Sequence, residues 1–254
     1  MTVAFVHGNP ETAAVWGPLV DHLGRLGRAD AVTLSPPGFG APVPDGFGAT
    51  SDDYLAWLVE ELAELGTSGG PVDLVGHDWG GAHVIRLACT RPDLIRSWAS
   101  DIAGCFAPDY VWHDLAQIWQ TDGAGEEAVA AMVALPEAER SGVLESAGMT
   151  PEVAADVAAN IDETNGRCVL ALYRSAAQPA MARWGEVLPR AAARPGLAII
   201  PTDDPYTGGP DRARWAAEQA GARTVELPGL GHWWMLQDPA AGAAALQAFW
   251  ASLD

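Results

Sequence analysis

The segment Val72-Asp73-Leu74-Val75-Gly76-His77-Asp78-Trp79-Gly80-Gly81 constrains this chain most. A short apolar run meets glycine, and a helical pattern begins at about residue 80. A run of this length bounded by glycine reads as a buried strand. The glycines permit a sharp turn in which any side chain would strike the helix packed behind it. Asp78 is thereby lifted above the strand and set at a helix N-terminus, where backbone N–H groups favour a carboxylate. Read without function, the same residues are a β–α turn with a solvated or capping Asp.

The same alternation runs along the chain. Strands are expected at Val3–Val6, Ala31–Leu34, Val72–Val75, Trp98–Ile102, Leu197–Ile200 and Thr224–Leu227. Helices are expected at about 13–26, 51–65, 80–90, 210–220 and 240–252, the second capped by Ser51. Alternating strands and helices predict an α/β fold with a mostly parallel sheet flanked by helices. Between about 105 and 185 the alternation stops and every apolar position is helix-like, from Trp112 and Trp119 to Leu170 and Leu172. We read 1–104 and 186–254 as one core domain and 105–185 as a helical cap inserted into it. A length of 254 residues fits one large domain with such an insertion, and supplies a core without disulfides or metal.

Charge excludes several functions. There are 33 acidic and 14 basic residues, a net charge of −19, which repels nucleic acid and anionic membrane. All the basic residues are Arg, so neither a Schiff-base lysine nor a P-loop lysine is available. Cys89, Cys105 and Cys168 are odd in number and widely spaced, unlike a disulfide framework or a zinc site. With no basic start, no long apolar run and no sign of oxidising conditions, the expectation is a cytoplasmic protein without metal or cofactor.

Two further segments carry chemistry. His7-Gly8-Asn9-Pro10 follows the first strand, where it is also good turn chemistry. Gly231-His232-Trp233 lies between the last strand and last helix, and puts a glycine-flanked imidazole on a loop, as a general base requires. The other histidines read as structural: His7 and His77 in tight turns bonded to backbone, His83 within a helix, His22 and His113 on helix surfaces. An acid partner for His232 should follow a strand. Asp204, just past the fifth strand, gives the order nucleophile, acid, base. Asp203 is one residue off, and Asp101, at the end of the fourth strand, is a second alternative.

With these residues in hand, nearly the whole chain resembles the α/β-hydrolase superfamily, in its Asp-nucleophile branch of haloalkane dehalogenases and epoxide hydrolases. Gly-His-Asp-Trp-Gly-Gly at 76–81 and Gly-His-Trp at 231–233 resemble epoxide hydrolases. His-Gly-Asn-Pro at 7–10 resembles dehalogenases, whose matching Asn and Trp hold the halide. Leu172-Tyr173-Arg174 resembles the cap segment that carries one of two ring-opening tyrosines. The departures are specific. The chain starts at what is the family's third strand, and the region 114–120, where the first ring-opening tyrosine belongs, contains no Tyr; Tyr110 lies a few residues earlier.

The resemblance implies a hydrolase in which Asp78 attacks an sp³ carbon and forms an alkyl-enzyme ester. Water activated by His232 then cleaves the ester, with Asp204 orienting the imidazole and the backbone N–H groups of Asn9 and Trp79 holding the oxyanion. The implied substrate is small, apolar and organic. A halide would be held by the Asn9 amide and the Trp79 indole; an epoxide oxygen would need Tyr173, with Tyr110 as a second acid. Asn9 and the missing tyrosine tilt the balance toward carbon–halogen hydrolysis, with epoxide hydrolysis as the alternative. A Ser esterase is disfavoured by Asp at the turn, and a non-catalytic ligand-binding member of the fold is the rival from another class.

Overall fold

A computed structural model describes residues 2–28 and 30–253. Six parallel strands form one sheet: β1 (Val3–Val6), β2 (Ala31–Leu34), β3 (Val72–Gly76), β4 (Ile95–Ser100), β5 (Gly196–Pro201) and β6 (Arg223–Leu227), in the order β2-β1-β3-β4-β5-β6. This is the expected mostly parallel α/β sheet. The sheet is covered on both faces, as a parallel sheet must be. Side chains alternate across a strand, so Val3 and Phe5 of β1 pack with Trp16, Trp234 and Trp250 on one face. Ala4 and Val6 pack on the other, with Leu58, Leu62 and Val84.

Two boundaries differ from expectation. β4 begins at Ile95 rather than Trp98 and ends at Ser100, so Asp101 stands in the bend just past it. The Arg96 guanidinium explains the earlier start: it grips the buried Asp73 carboxylate of β3 from Nε at 2.9 Å and Nη2 at 2.8 Å. A charged residue breaks the apolar run but not the strand. The helix Ser51–Gly69 is capped by Thr50, not Ser51. The Thr50 hydroxyl accepts from Asp53 N–H, and the Asp53 carboxylate accepts from Thr50 N–H at 2.9 Å, a reciprocal capping box.

Between β4 and β5 the described residues contain helices and no strand, including Asp114–Gln120, Ala124–Ala134, Glu137–Ala147, Pro151–Ala159 and Glu163–Ser175. Their apolar faces join the two core clusters rather than forming a third: Val153, Val157 and Ile161 pack with Trp233, while Leu172 and Tyr173 pack with Trp79. These helices roof the C-terminal ends of the strands, the edge where open α/β sheets place their ligands. Among the described residues, no helix is long and apolar enough to cross a membrane.

Candidate active site

Asp78 sits between β3 and the helix Trp79–Thr90 with φ +50° and ψ −127°. A positive φ costs a non-glycine residue about 1–3 kcal/mol, and the turn around it leaves no other path. A Cβ on Gly80 would lie 2.2 Å from the Val6 carbonyl oxygen, and one on Gly76 would lie 2.5 Å from that of Gly80. A Cβ on Gly8 would lie 2.1 Å from Asp78 Oδ1 and 2.5 Å from Trp79 N. Gly8 therefore lets the first loop close directly over the carboxylate. Asn9 N–H donates to Asp78 Oδ1 at 2.8 Å, which is the contact expected of an oxyanion donor.

His232 stands on the other side. Its Nε2 is 3.8 Å from Asp78 Oδ2, and its Nδ1 is 2.9 Å from Asp204 Oδ2. Asp204 is fixed in turn by the Tyr206 N–H, which donates to Oδ1 at 2.8 Å. The three side chains expected to act together thus lie in one line. Asp101, the alternative acid, is instead bonded to His77 Nδ1 at 2.5 Å and to the Trp234 indole N–H at 2.7 Å, while its Oδ1 accepts from Asp78 N–H at 3.1 Å. Asp203 directs its carboxylate to the Thr202 hydroxyl at 3.0 Å.

Burial sets the protonation chemistry. It raises Asp78 to about 6, against the pull of His232 and His77. Burial also works against the charge of His232, but Asp204 overcomes it and lifts the imidazole above its ordinary value. Asp204 is lowered for the matching reason: the facing imidazole and the Tyr206 N–H outweigh its own burial. A carboxylate nucleophile with a carboxylate-oriented imidazole beside it can form and then hydrolyse a covalent ester.

Below this line lies a buried network that the sequence did not disclose. His77 does not bond to backbone, as expected of it, but stands between two carboxylates, Asp101 and Glu11. Its Nε2 is 2.8 Å from Glu11 Oε1, an ion-pair contact. Burial opposes the charge on His77, but the two carboxylates raise its pKa well above the ordinary imidazole value. Glu11 also accepts from the Trp233 indole N–H at 2.7 Å and from Gly8 N–H at 2.9 Å. Glu11 and Asp101 thus tie the two tryptophans after His232 to the first loop and the turn. Glu11, His77 and His232 offer metal-ligand atoms within 4.8 Å of one another, yet both ring nitrogens of His77 already face carboxylates, Asp101 and Glu11. The pairing of Glu11 with Gly8 is local, and Glu three residues after a loop glycine is the one signal in the sequence that could have found it.

Asn9 and Tyr173 line a cavity of about 210 Å³ in front of Asp78. Its far wall is apolar, with Met132, Val133, Leu144, Ile161 and Val169, and no Arg lines it. Tyr173 descends from the helix Glu163–Ser175, and its hydroxyl is 3.4 Å from Asn9 Nδ2, which donates to it. Burial pushes the Tyr173 phenol well above the ordinary tyrosine range, against hydrogen bonds from the side chains of Asn9 and Trp79. The Tyr110 hydroxyl turns away and donates to the Tyr206 carbonyl at 2.9 Å. Trp112 stacks on Trp79 with ring centroids 5.7 Å apart, so it is packed in the core beside the site. His113 is not on a helix surface: it is a half-buried helix cap in the cavity wall.

The alpha/beta hydrolase family matches residues 3–245 of this chain. The chain belongs to this family. Within the α/β-hydrolase fold it is similar to the haloalkane dehalogenase DbeA of Bradyrhizobium elkani, with a TM-score of 0.71 and 23% identity over 99% of this chain and 91% of that one. It is 30% identical over 137 residues to a haloalkane dehalogenase of Mesorhizobium japonicum, covering 50% of this chain and 42% of the relative. To an epoxide hydrolase of Caballeronia sordidicola it is 31% identical over 105 residues, covering 37% of this chain and 29% of the relative. The match spans less than half the length of each of these two curated relatives.

Proposed function

We propose that this α/β hydrolase opens epoxides through an ester on Asp78. The observation that carries this reading is the Tyr173 hydroxyl, which accepts from the Asn9 amide at 3.4 Å while its ring stands edge-on to Trp79 with centroids 5.2 Å apart. The Asn9 amide is one of the two donors a leaving halide would need, and here a phenol oxygen holds it. With its oxygen already accepting, Tyr173 keeps its own proton to give. An epoxide oxygen needs that proton as its bond to carbon breaks; a halide needs none. The residue balance in the sequence tilts toward carbon–halogen hydrolysis; the placement of Tyr173 supports the epoxide reading instead. Halide release stays as a second reading on one observation: the Asn9 side-chain amide, a donor a halide could use, lines the cavity together with Asp78.

The reaction runs in two halves. A carboxylate oxygen of Asp78 attacks the epoxide carbon, the C–O bond breaks, and the oxygen takes the Tyr173 proton. Water then loses a proton to His232 and adds to the carboxyl carbon of Asp78. The resulting oxyanion lies against the Asn9 N–H, a donor worth about 2.7–4 kcal/mol in comparable sites. The ester C–O bond breaks, the departing alkoxide takes the proton from His232, and the water's remaining proton passes from the Asp78 carboxyl group to Tyr173, so the diol leaves and the site is restored. The apolar wall and the absence of Arg in the lining suit an uncharged, apolar substrate.

The test uses His232→Gln, which retains the nucleophile and removes the base. After incubation with styrene oxide, intact-mass analysis should show one adduct on Asp78, and the parent chain should release diol. Bromide release from 1-bromobutane with no diol from any epoxide would install the halide reading. A chain that binds both compounds and forms no adduct with either would be a binding protein.

A further inference from the structure

Tyr173 by itself is a poor match for the task just assigned to it. Burial holds its proton tightly, so a tyrosinate left after ring opening is costly. The phenol that could assist, Tyr110, is bonded to the Tyr206 carbonyl at 2.9 Å. We propose that His113 is the second donor to the leaving oxygen, acting through Nε2–H. This rests on the epoxide reading above.

Three observations converge on this residue. First, its tautomer is fixed by the backbone. His113 caps the helix Asp114–Gln120, and its Nδ1 accepts the Ala116 N–H at 3.2 Å. An accepting Nδ1 leaves the ring proton on Nε2. Second, among the described residues no group accepts from Nε2, although the ring forms part of the cavity wall together with Asp78, Tyr173 and His232. Ring contacts to Tyr206 at 5.1 Å and Trp119 at 6.3 Å hold it there, and the Tyr173 ring is 6.4 Å away. Third, the ring stays neutral. Burial lowers its pKa to about 4, and His232 pushes in the same direction. A neutral donor can stabilise the forming alkoxide without repelling the imidazolium that His232 becomes in the second half.

In the step itself, the Asp78 oxygen forms its bond to carbon as the epoxide C–O bond breaks. The bonding pair moves onto oxygen, which accepts from His113 Nε2–H while the Tyr173 proton transfers to it. His113 keeps its proton throughout, and Tyr173 recovers its own after water has yielded one to His232.

The experiment measures alkylation of Asp78 by styrene oxide in the His232→Gln background, with and without a change at His113. His113→Asn is the informative variant, because Asn is a strong helix cap and so can preserve the backbone contact while the Nε2 donor is lost. His113→Phe removes both. Alkylation should fall about 10- to 100-fold in both variants, the scale of one hydrogen bond to a charged group. The melting temperature should fall only in the Phe variant. Unchanged alkylation in His113→Asn would overturn the assignment, as would a loss confined to His113→Phe, which would mark the residue as a cap. If the parent background forms no epoxide adduct at all, the epoxide reading fails first and this inference with it.

Discussion

Asp204 and Asp101 have the same side chain, both are buried and both stand just beyond a strand, yet only Asp204 touches His232. The carboxylate that bonds to an imidazole sets its tautomer, so Asp204→Asn should lower kcat by roughly 10³–10⁴-fold while the ester on Asp78 still forms. Rapid-quench measurement of ester formation and decay separates the two halves. Asp101→Asn should act differently: it removes an anion from beside the buried His77, and the expected effect is loss of stability in a denaturant titration. If Asp101→Asn alone slowed ester decay, the acid role would move to it. Gly8 carries a residue-scale prediction of its own. Gly8→Ala drives a methyl to within 2.1 Å of Asp78 Oδ1, and should abolish alkylation. Unimpaired alkylation in that variant would show that the loop does not close over the carboxylate.

At the scale of elements, the turn after β3 and the helix behind it are one unit. Gly80 is the point of closest approach, and Gly80→Ala places a Cβ 2.2 Å from a backbone oxygen of β1, which cannot rotate away. The expected result is a chain destabilised by several kcal/mol, at about 1–3 kcal/mol or more for an overpacked site, with loss of activity as a consequence of the moved turn. Urea titration with circular dichroism reads the first and turnover the second. The capping box on the helix Ser51–Gly69 sets a milder test. Thr50→Ala removes the acceptor for Asp53 N–H and should cost about 1 kcal/mol without touching kcat, since neither Thr50 nor Asp53 lines the cavity in front of Asp78.

For the whole molecule, pH joins catalysis and stability. In the proposed mechanism Asp78 attacks as a carboxylate, and burial raises its pKa to about 6, so alkylation should fall as pH drops through that value. Ester hydrolysis needs neutral His232, whose pKa is raised, so steady-state turnover should decline at a higher pH than alkylation does. Two separate pH profiles, from trapped adduct and from diol release, check the order. Stability depends on the buried network instead. Glu11 is held at about 2 against an ordinary 4.5, the pull of His77 overcoming its burial, so its contribution is present above 4.5 and is lost as pH falls toward 2. His77 is raised above its ordinary 6.5, so its contribution is complete below 6.5 and is lost only as pH rises through the higher folded value. Unfolding midpoints across these ranges should fall on the acid side in the parent and less steeply in Glu11→Gln.

The sequence determined the parts of this protein that are local. Val72 to Gly81 specifies strand, turn and helix within ten residues, because backbone conformation and glycine sterics act between neighbours, and Asp78 at the apex follows. The order of strands and helices fixed the α/β class for the same reason, and Gly-flanked His232 was legible as a loop imidazole. Where the strand carried a charge at Arg96, or the cap moved by one residue to Thr50, local pattern reading slipped. Only the tertiary structure decided which groups meet. Asp204 reaches His232 because β5 and β6 are neighbours in the sheet, and Asp101 reaches His77 because β4 lies beside β3. Glu11, Trp233 and His113 look like a turn acid, a core aromatic and a surface imidazole until the chain closes around them. Hydrogen bonds and charge pairing act over a few ångströms in space, across separations as large as the 222 residues between Glu11 and Trp233, and no spacing in the sequence encodes that contact.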